Sequence, residues 1–364
     1  MNQDLRVAVS GIGWCGCEHI KAFQRLPGCE VVMLHGRDPE RMRHNMQLYG
    51  ANPGSARLTT DFEDVINDES IDIVSISGVN STHVPYAVAA LSKGKHVMLE
   101  KPAARDEAEL EQLVAAAGTS RAKTVVSFEL YWNSLFQVAR WLVESGRIGK
   151  VMFVRSNYHS RVGDFYSGWD WTRTLAEGRS MLLNGGCHSI DAVRQFTNEQ
   201  PVSVTAFHTT GTAQGYEYPT TIHVNIQFAD GVLGQVSASA DVASPYHFGL
   251  EIYGTELSLV NDYIRWPYDR HVSVDELQEA CPVPDVRFFL EPYSETSSQI
   301  RVECVQPNSV SVEHHPFGDE ARALVTAIRE DTETPLSIAR TAITHRLCFA
   351  ADRSAAAGGE RIAL

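Results

Sequence analysis

The stretch that decides the fold is Leu5-Arg6-Val7-Ala8-Val9-Ser10-Gly11-Ile12-Gly13-Trp14-Cys15-Gly16. Its first half has the apolar run of a buried strand, three glycines follow in the order G-x-G-x-x-G, and a helical segment then runs to Leu26. Glycines at this spacing permit a tight turn, close approach of a pyrophosphate, and close packing of helix on strand. The stretch therefore predicts a dinucleotide site that includes every residue of the glycine motif: Gly11, Ile12, Gly13, Trp14, Cys15 and Gly16.

Strands and helices alternate from this turn to about residue 127. Apolar segments at Cys29–His35, 71–77, 96–99 and 124–128 carry the strand signal, and helical segments separate them. This alternation is typical of a doubly wound parallel sheet, because each crossover between parallel strands needs a long connection, usually a helix. We therefore predict an α/β Rossmann domain over residues 1–127.

The pattern changes after residue 127. A helical segment at 131–145 precedes stretches in which apolar and polar residues alternate, at Val151–His159, 202–208, Thr221–Phe228, 232–240 and 247–253. Strands with no helices between them favour an antiparallel sheet. We predict an α+β domain over 128–364 on an open, mostly antiparallel sheet, with two final helices able to pack back on the first domain. The segment 268–312 receives no assignment.

A lysine follows the apolar strand in His96-Val97-Met98-Leu99-Glu100-Lys101-Pro102. Pro102 disfavours a helical conformation at Lys101, so the chain stays extended through the lysine. The carboxyl end of a parallel strand is where open α/β sheets bind ligands. We predict Glu100 and Lys101 at the cofactor, with Lys101 partly desolvated near a positive nicotinamide and able to act as acid or base. The alternative is a surface lysine before a turn proline.

The end of the second strand bears on the choice of dinucleotide. In sites that prefer NAD, an acidic residue about 20 positions past the glycines binds the ribose 2′-hydroxyl. Gly36 occupies that register here, and Arg37 follows it. An arginine can pair with a 2′-phosphate, so the sequence favours NADP over NAD. Asp38 is a candidate for the ribose, although Asp38-Pro39 also has the pattern of a helix cap.

Three further residues, at or just after the end of the strand at 71–77, are candidates to contact the cofactor. Ser77 and Asn80 could contact the ribose or the pyrophosphate. His83 could be a ligand, or could cap or pack instead.

A second group of polar residues lies in the segment 178–191. If this segment is helical, Asn184, His188 and Asp191 share one face. The imidazole of His188 is a natural proton acceptor near neutral pH, and Asp191 could orient it. No metal site is predicted, because the segment offers one good nitrogen ligand. A histidine packed in a core helix is the alternative.

Aromatic residues gather upstream of this segment, and their flat faces suit the CH-rich faces of a sugar ring. We predict Tyr158, Trp169 and Trp171 as substrate contacts, together with Asn184 and Asp191. Packing of a helix on a sheet is an equally good account of the same residues.

Composition restricts the class of protein. The formal charge of −14 argues against a nucleic-acid partner, which would select a basic surface. Seven cysteines without framework spacing suit a reducing compartment. No apolar run approaches the roughly 20 residues that a bilayer requires, and the first strand leaves no room for a signal peptide. We predict a cytoplasmic protein with no membrane partner.

Taken together, the sequence resembles the family of glucose–fructose oxidoreductase, inositol dehydrogenase and MocA. The resemblance rests on five motifs in order: Gly11-Ile12-Gly13-Trp14-Cys15-Gly16, Val79-Asn80-Ser81-Thr82-His83, Glu100-Lys101-Pro102, Gly146-Arg147-Ile148-Gly149-Lys150-Val151 and Gly186-Cys187-His188-Ser189-Ile190-Asp191. It implies NAD(P)-dependent oxidation or reduction of a secondary alcohol on a sugar or cyclitol, in a homo-oligomer formed through the free face of the second sheet. It also implies a cis Lys101–Pro102 peptide.

The resemblance makes Lys101 and His188 the acid/base pair, but one position departs from it. Many family dehydrogenases have aspartate four residues before the histidine, and this chain has Asn184. An amide cannot relay a proton, although it can still hold a substrate hydroxyl. Two other functions stay open: a non-catalytic dinucleotide-binding regulator, and an enzyme whose tightly held cofactor transiently oxidises a sugar.

Overall fold

The protein is described from a computed structural model, which covers residues 4–164, 166, 168–197, 200–209, 215–304 and 315–364. These residues form two compact units. The first draws on the described residues within 1–129, 162–179 and 308–349, and the second on those within 130–161, 180–307 and 350–364. The predicted division of the chain after residue 127 stays a prediction.

The first unit contains a parallel sheet, which within the described residues has six strands in the order β3-β2-β1-β4-β5-β6. The strands are β1 (Leu5–Ser10), β2 (Cys29–His35), β3 (Arg57–Thr59), β4 (Ile73–Ile76), β5 (His96–Leu99) and β6 (Thr124–Val126). Val7, Val74 and Val97, at the centres of neighbouring strands, have no solvent exposure. A parallel sheet covered on both faces needs such strands. The predicted Rossmann fold is confirmed.

Helices cross over between these strands. They are α1 (Trp14–Gln24), α2 (Pro39–Leu48), α3 (Phe62–Asn67), α4 (His83–Ser92) and α5 (Glu107–Thr119). The helix α1 begins at Trp14, directly after the second glycine of the turn, and the N–H of Cys17 bonds to the carbonyl of Gly13 at 3.0 Å. The glycine turn thus leads directly into the helix and points its amino end at the space above the turn.

The second unit contains the mostly antiparallel sheet that the sequence predicts. Its order, for the part of the chain that is described, is β14-β15-β13-β12-β11-β7-β10-β9-β8-β16. Its strands are β7 (Val151–His159), β8 (Pro201–His208), β9 (Thr221–Phe228), β10 (Leu233–Ser239), β11 (His247–Gly254), β12 (Ser258–Val260), β13 (Tyr263–Arg265), β14 (Val286–Ser294), β15 (Ser297–Cys304) and β16 (Ile362–Ala363). The pair β7 and β10 runs parallel.

The remaining helices are α6 (Ser134–Glu144), α7 (Trp169–Thr172), α8 (Cys187–Gln195), α9 (Val274–Ala280), α10 (Phe317–Glu330) and α11 (Ile338–Ala356). The helix α6 begins at Ser134 instead of Tyr131, because Asn133 caps it by accepting the N–H of Leu135 at 2.9 Å. In the first unit, α10 packs against α1. Among the described helices, none is long and apolar enough to span a membrane.

The unassigned segment 268–312 contains regular structure as far as Cys304. It forms α9 and the hairpin of β14 and β15, while residues 305–312 lie outside the described part. Most side chains of β14 are exposed. The strand therefore lacks the apolar alternation that identifies a half-buried strand from sequence.

One face of the second sheet carries exposed apolar side chains of β8 and β10. The register places Phe207 opposite His223 and Leu233 opposite Phe153, on the face away from the buried Val154 and Val236. Phe207 and Leu233 expose 60% and 53% of their surface. Exposed apolar residues that form a contiguous patch mark an interaction surface.

Candidate active site

The glycine turn between β1 and α1 has the geometry that a pyrophosphate needs. Gly11 has φ +92°, and a Cβ there would lie 2.3 Å from the backbone nitrogen of Gly78. A Cβ on Gly16 would lie 1.9 Å from the carbonyl oxygen of Gly11, so helix and strand pack too closely for any side chain. A Cβ on Gly13, by contrast, would have nothing within 4 Å. Gly11 therefore permits the positive φ of the turn, Gly16 permits close packing of the helix on the strand, and Gly13 leaves open space above the turn.

The amino end of α1 is available to an anion. Its N-cap is Gly13, which supplies no side chain to the first N–H groups, and its first turn contains no acidic residue. Uncapped N–H groups and the positive end of the helix dipole together bind phosphate. These observations fit a bound dinucleotide.

A cavity of about 440 Å³ opens over this turn, within the first unit. Twelve predicted cofactor residues line it: Gly11, Ile12, Gly13, Trp14, Cys15, Arg37, Asp38, Ser77, Asn80, His83, Glu100 and Lys101. Gly16 lies beneath the turn instead. Trp171, predicted as a substrate contact, also lines the cavity, whereas Trp169 is not among the lining residues.

The far end of the cavity contains the residues that could contact the ribose or its 2′-phosphate. The carboxylate of Asp38 accepts the N–H groups of Glu40 and Arg41 at 2.9 and 3.3 Å, so it caps α2. Among the described residues, no ion pair or side-chain hydrogen bond engages the guanidinium of Arg37 or Arg41, and both arginines line the cavity. Asp38 therefore forms no ion pair with either guanidinium.

The loop after β4 is held by its own side chains. The hydroxyl of Ser77 donates to the carbonyl of Gly11 at 2.8 Å, which supports the glycine turn. The amide of Asn80 donates to the carbonyl of Glu177 at 2.8 Å, and the Glu177 carboxylate accepts the N–H of Ser81 at 2.9 Å. Glu177 was not predicted, and no local pattern around residue 177 could have indicated this contact.

His83 connects two loops of the first unit. Its Nδ1 lies 2.7 Å from the carbonyl of Pro102, and its Nε2 lies 3.2 Å from the carbonyl of Gly78. Burial lowers the pKa of His83, outweighing these carbonyls and the charge of Glu100. A neutral ring has a single N–H, so one of the two contacts is a hydrogen bond at any moment. Backbone carbonyls thus face both ring nitrogens, and the residue ties the Gly78 loop to the loop after Lys101.

Lys101 follows the carboxyl end of β5 and lines the cavity. The Lys101–Pro102 peptide is cis, as the resemblance implies. The backbone N–H of Lys101 donates to the carboxylate of Glu100 at 3.1 Å. Another oxygen of that carboxylate lies 3.3 Å from Nε2 of His19, so Glu100 is held from two sides. Lys101 therefore lies at the carboxyl edge of the parallel sheet, and its role at a cofactor stays a prediction.

In the second unit, a π-helical turn (Leu182–Gly186) runs directly into α8. The amide of Asn184, inside this turn, donates to the hydroxyl of Tyr218 at 3.1 Å. His188 is buried in the first turn of α8, and the ring of Tyr158 stacks on it with centroids 6.0 Å apart. Gly185 permits this approach, since a Cβ there would lie 2.6 Å from the Tyr158 ring.

Asp191 lies one turn further along α8. Its carboxylate accepts Arg194 and Gln195, at 2.9 and 2.6 Å, from the same helix. Tyr218 is the residue here that sequence reasoning missed. It lies 34 positions from Asn184 and precedes β9 in a segment without a motif.

Two family profiles cover most of the chain. One, described as the oxidoreductase family with an NAD-binding Rossmann fold, matches residues 5–128, and the C-terminal domain profile of the same family matches residues 136–260. The chain belongs to the GFO/IDH/MocA family. The resemblance inferred from the five motifs is thereby confirmed.

Three curated relatives are named for reactions on a sugar derivative or a cyclitol. A 1,5-anhydro-D-fructose reductase of Ensifer adhaerens is 27% identical over 65% of this chain and 69% of that protein. A levoglucosan dehydrogenase of Pseudarthrobacter phenanthrenivorans is 26% identical over 72% of this chain and 75% of that protein. An inositol 2-dehydrogenase of Rhodococcus erythropolis is 26% identical over 56% of each chain.

Solved structures of GFO/IDH/MocA proteins share the whole fold. Levoglucosan dehydrogenase in complex with NADH and L-sorbose matches 100% of this chain and 99% of its own, with a TM-score of 0.80 at 21% identity. GenD2 from gentamicin A biosynthesis, in complex with NAD, matches 100% and 97%, with a TM-score of 0.78 at 20% identity. The fold predicted for both halves of the sequence is confirmed.

Proposed function

We propose that this chain transfers a hydride between the nicotinamide of NADP or NAD and a secondary alcohol or ketone of a sugar, glycoside or cyclitol. The observation that carries the proposal is the position of Lys101. A lysine at the carboxyl end of β5 lines the same cavity as the glycine turn. This position supports a role for Lys101 as an acid or base beside a bound dinucleotide.

The chain's own residues would hold the cofactor. Gly13 and the N–H groups at the start of α1 are suited to the pyrophosphate, and Ser77 supports that turn. The bound nicotinamide would supply the hydride chemistry, as cofactors do in this class of enzyme. The protein contributes orientation, charge and proton transfer.

The proposed acid/base pair is Lys101 and His188. In the oxidative direction, His188 takes the proton of the substrate hydroxyl while the ammonium of Lys101 stabilises the charge that develops on the same oxygen. In the reductive direction, the proton moves the opposite way. Asn184 is proposed to bind a neighbouring hydroxyl, with Tyr158 and Trp171 packing on a sugar face and Trp169 and Asp191 as further candidates.

The substrate class rests on the printed activities of the relatives and on these aromatic side chains. Anhydrofructose, levoglucosan and inositol share secondary hydroxyls on a saturated ring. The test is the absorbance of reduced nicotinamide at 340 nm during incubation with a panel of ketoses, anhydrosugars, aldoses and cyclitols, with each dinucleotide in turn. We expect a change in absorbance that requires both protein and substrate.

Two outcomes of the screen would point to other functions. Tight dinucleotide binding without turnover of any substrate would indicate a regulator. Release of reduced or oxidised dinucleotide when the purified protein is denatured, with no exchange during turnover, would indicate transient oxidation by a permanently held cofactor.

We also propose that the cofactor is NADP. Gly36 offers no carboxylate to repel a 2′-phosphate, and the carboxylate of Asp38 is occupied in capping α2. Arg37 and Arg41 line this end of the cavity with exposed guanidinium groups. Arginine is well suited to bidentate recognition of a phosphate.

Replacing Arg37 with glutamine is expected to raise KM for NADP(H) by about 10-fold, because one charged hydrogen-bonding interaction of about 1.5 kcal/mol is lost. KM for NAD(H) should stay near its original value, since NAD has no 2′-phosphate. The matched control is Arg43→Gln, which removes an exposed arginine of α2 that does not line the cavity. Equal effects of R37Q on both dinucleotides would contradict the NADP assignment.

Assembly and location remain proposals as well. We propose a homo-oligomer that buries the sheet face carrying Phe207 and Leu233, and a cytoplasmic location. Sedimentation at several protein concentrations would measure the first, and loss of association in Phe207→Ser would support this face.

A further inference from the structure

One segment of the first unit, residues 168–179, both lines the dinucleotide cavity and contacts the loop after β4. We call this segment the strap. Near its start, Gly168 and Trp171 are part of the cavity wall. Near its end, Glu177 contacts Asn80 and Ser81, and Asn80 lines the same cavity. Two parts of the cavity wall that are distant in sequence are therefore joined through Glu177.

Hydrogen bonds inside the strap connect its cavity end to its anchored end. The hydroxyl of Thr174 donates to the carbonyl of Trp171 at 2.8 Å and accepts the N–H of Glu177 at 3.2 Å. The N–H of Gly178 bonds to the carbonyl of Thr174 at 2.9 Å. Trp171 and Glu177 thus belong to one folded turn, so a displacement of Glu177 also displaces Trp171.

Glu177 is held by both its backbone and its side chain. Its carbonyl accepts the side-chain amide of Asn80 at 2.8 Å, and its carboxylate accepts the backbone N–H of Ser81 at 2.9 Å. Both partners lie in a short 3₁₀ turn (Asn80–Thr82) directly before α4, and Asn80 is buried. The bond to the carboxylate is charge-assisted, a class about twice as strong as hydrogen bonds between neutral groups.

The remaining contacts at this end of the strap are weaker. Arg179 pairs with Asp106 at 2.9 Å, but the two side chains expose 36% and 46% of their surface, and exposed ion pairs contribute little. Nη1 of Arg105 donates to the carbonyl of Ala176 at 3.4 Å, which is long for a hydrogen bond. These contacts alone would hold the end of the strap less firmly than they do together with Glu177.

The backbone at the end of the strap is in an unfavourable conformation. Arg179 has φ +63°, in the left-handed region that residues with a side chain rarely adopt. Such a conformation persists only where the surrounding contacts hold it. The backbone at this point therefore favours a different conformation once the neighbouring contacts are released.

We propose that the strap closes the dinucleotide cavity, and that release of Glu177 from Asn80 and Ser81 controls the entry and exit of the dinucleotide. This inference rests on the proposed function, which assigns the cavity to a dinucleotide. Glu177 is not among the residues that line the cavity. It is therefore a positioning residue, which acts on the dinucleotide through the strap.

A closure of this kind has a distinct kinetic signature. The contacts of Glu177 with Asn80 and Ser81 are made within the protein, so they stabilise the closed form equally with and without a bound dinucleotide. Their loss raises the open fraction of both forms by the same factor. As long as the closed form still predominates, the association and dissociation rate constants rise together and the dissociation constant is unchanged.

The experiment is stopped-flow binding of NADPH, and then of NADH, to the full chain. Trp14 and Trp171 line the cavity, so energy transfer from tryptophan to the reduced nicotinamide reports association. Displacement by excess oxidised dinucleotide reports dissociation. In Glu177→Ala we expect both rate constants to rise by about 10-fold, the effect of losing one hydrogen bond to a charged group. Their ratio should change by less than about 2-fold.

Two further variants separate the clamp from charge and from general loosening. Glu177→Gln keeps an acceptor for the Ser81 N–H but loses the charge, so both rate constants should rise by about 3-fold only, half of the effect in free energy. E177Q also provides the test if E177A does not fold. The matched control is Asp170→Ala, which removes an exposed acidic residue of α7 that does not line the cavity. D170A should keep the rate constants of the unmodified protein.

The outcomes separate the strap from the proposed function. No energy transfer from the unmodified protein to NADPH or NADH would overturn the proposed function, and the strap with it. Binding with equal rate constants in E177A and in the unmodified protein would overturn the strap alone. A faster dissociation with unchanged association would also overturn it, because Glu177 would then support the binding surface and not its closure.

Discussion

Replacing Lys101 with methionine is expected to lower kcat by about 10²-fold or more, the range for loss of a general acid or base. Dinucleotide binding should be unaffected. Methionine matches the length and the apolar stem of lysine but can neither give a proton nor stabilise charge on oxygen. The backbone N–H of residue 101, which bonds to Glu100, is retained in this variant.

The two parts of this expectation need separate measurements. Trp14 and Trp171 line the cavity, so quenching of tryptophan fluorescence reports the dissociation constant of the dinucleotide without any turnover. The absorbance at 340 nm reports kcat. The control is Lys93→Met, which removes an exposed lysine at the end of α4. Turnover of K101M at the rate of K93M would remove Lys101 from the mechanism.

The fold could be predicted from sequence where the chain repeats a strong local pattern. The strands β1, β2 and β5 each contain a continuous apolar run, and a glycine or proline follows each of them within three residues. The strand β3 was missed because Arg57–Thr59 is three residues long and pairs with β2 alone. The hairpin of β14 and β15 was missed because its exposed side chains show no alternation.

In the candidate site, too, residues in local motifs could be predicted from sequence, and residues from distant segments could not. Residues of the glycine turn and of the Lys101 loop belong to contiguous motifs, so their common place at the edge of one sheet follows from the topology. Glu177 and Tyr218 reach their partners from distant segments. The contact of Glu177 with Asn80 joins residues 97 positions apart, and no single sequence contains a signal for it. Asn184 was expected on a regular helix, and the π turn changes its register.

Replacing Gly13 with alanine is expected to weaken dinucleotide binding by about 10²-fold while leaving the fold intact. A Cβ at residue 13 meets nothing within 4 Å in the protein, and its backbone φ of −92° is open to any residue. The methyl group would occupy the space that a pyrophosphate needs. Loss of hydrogen bonds from the helix amides to charged oxygens costs about 3 kcal/mol, which is about 10²-fold in dissociation constant.

Gly16→Ala does not offer the same test, because its Cβ would lie 1.9 Å from the Gly11 carbonyl and would disturb the fold itself. The suitable control is Gly118→Ala on α5, which also has open space around its Cβ. That change should raise the free energy of unfolding by up to about 1 kcal/mol, the helix preference of alanine over glycine. It should leave the dissociation constant of the dinucleotide unchanged. Thermal unfolding and fluorescence titration of both variants measure the two effects. A dissociation constant for G13A equal to that of G118A would mean that no pyrophosphate approaches this turn, and the assignment of the cavity to a dinucleotide would fail with it.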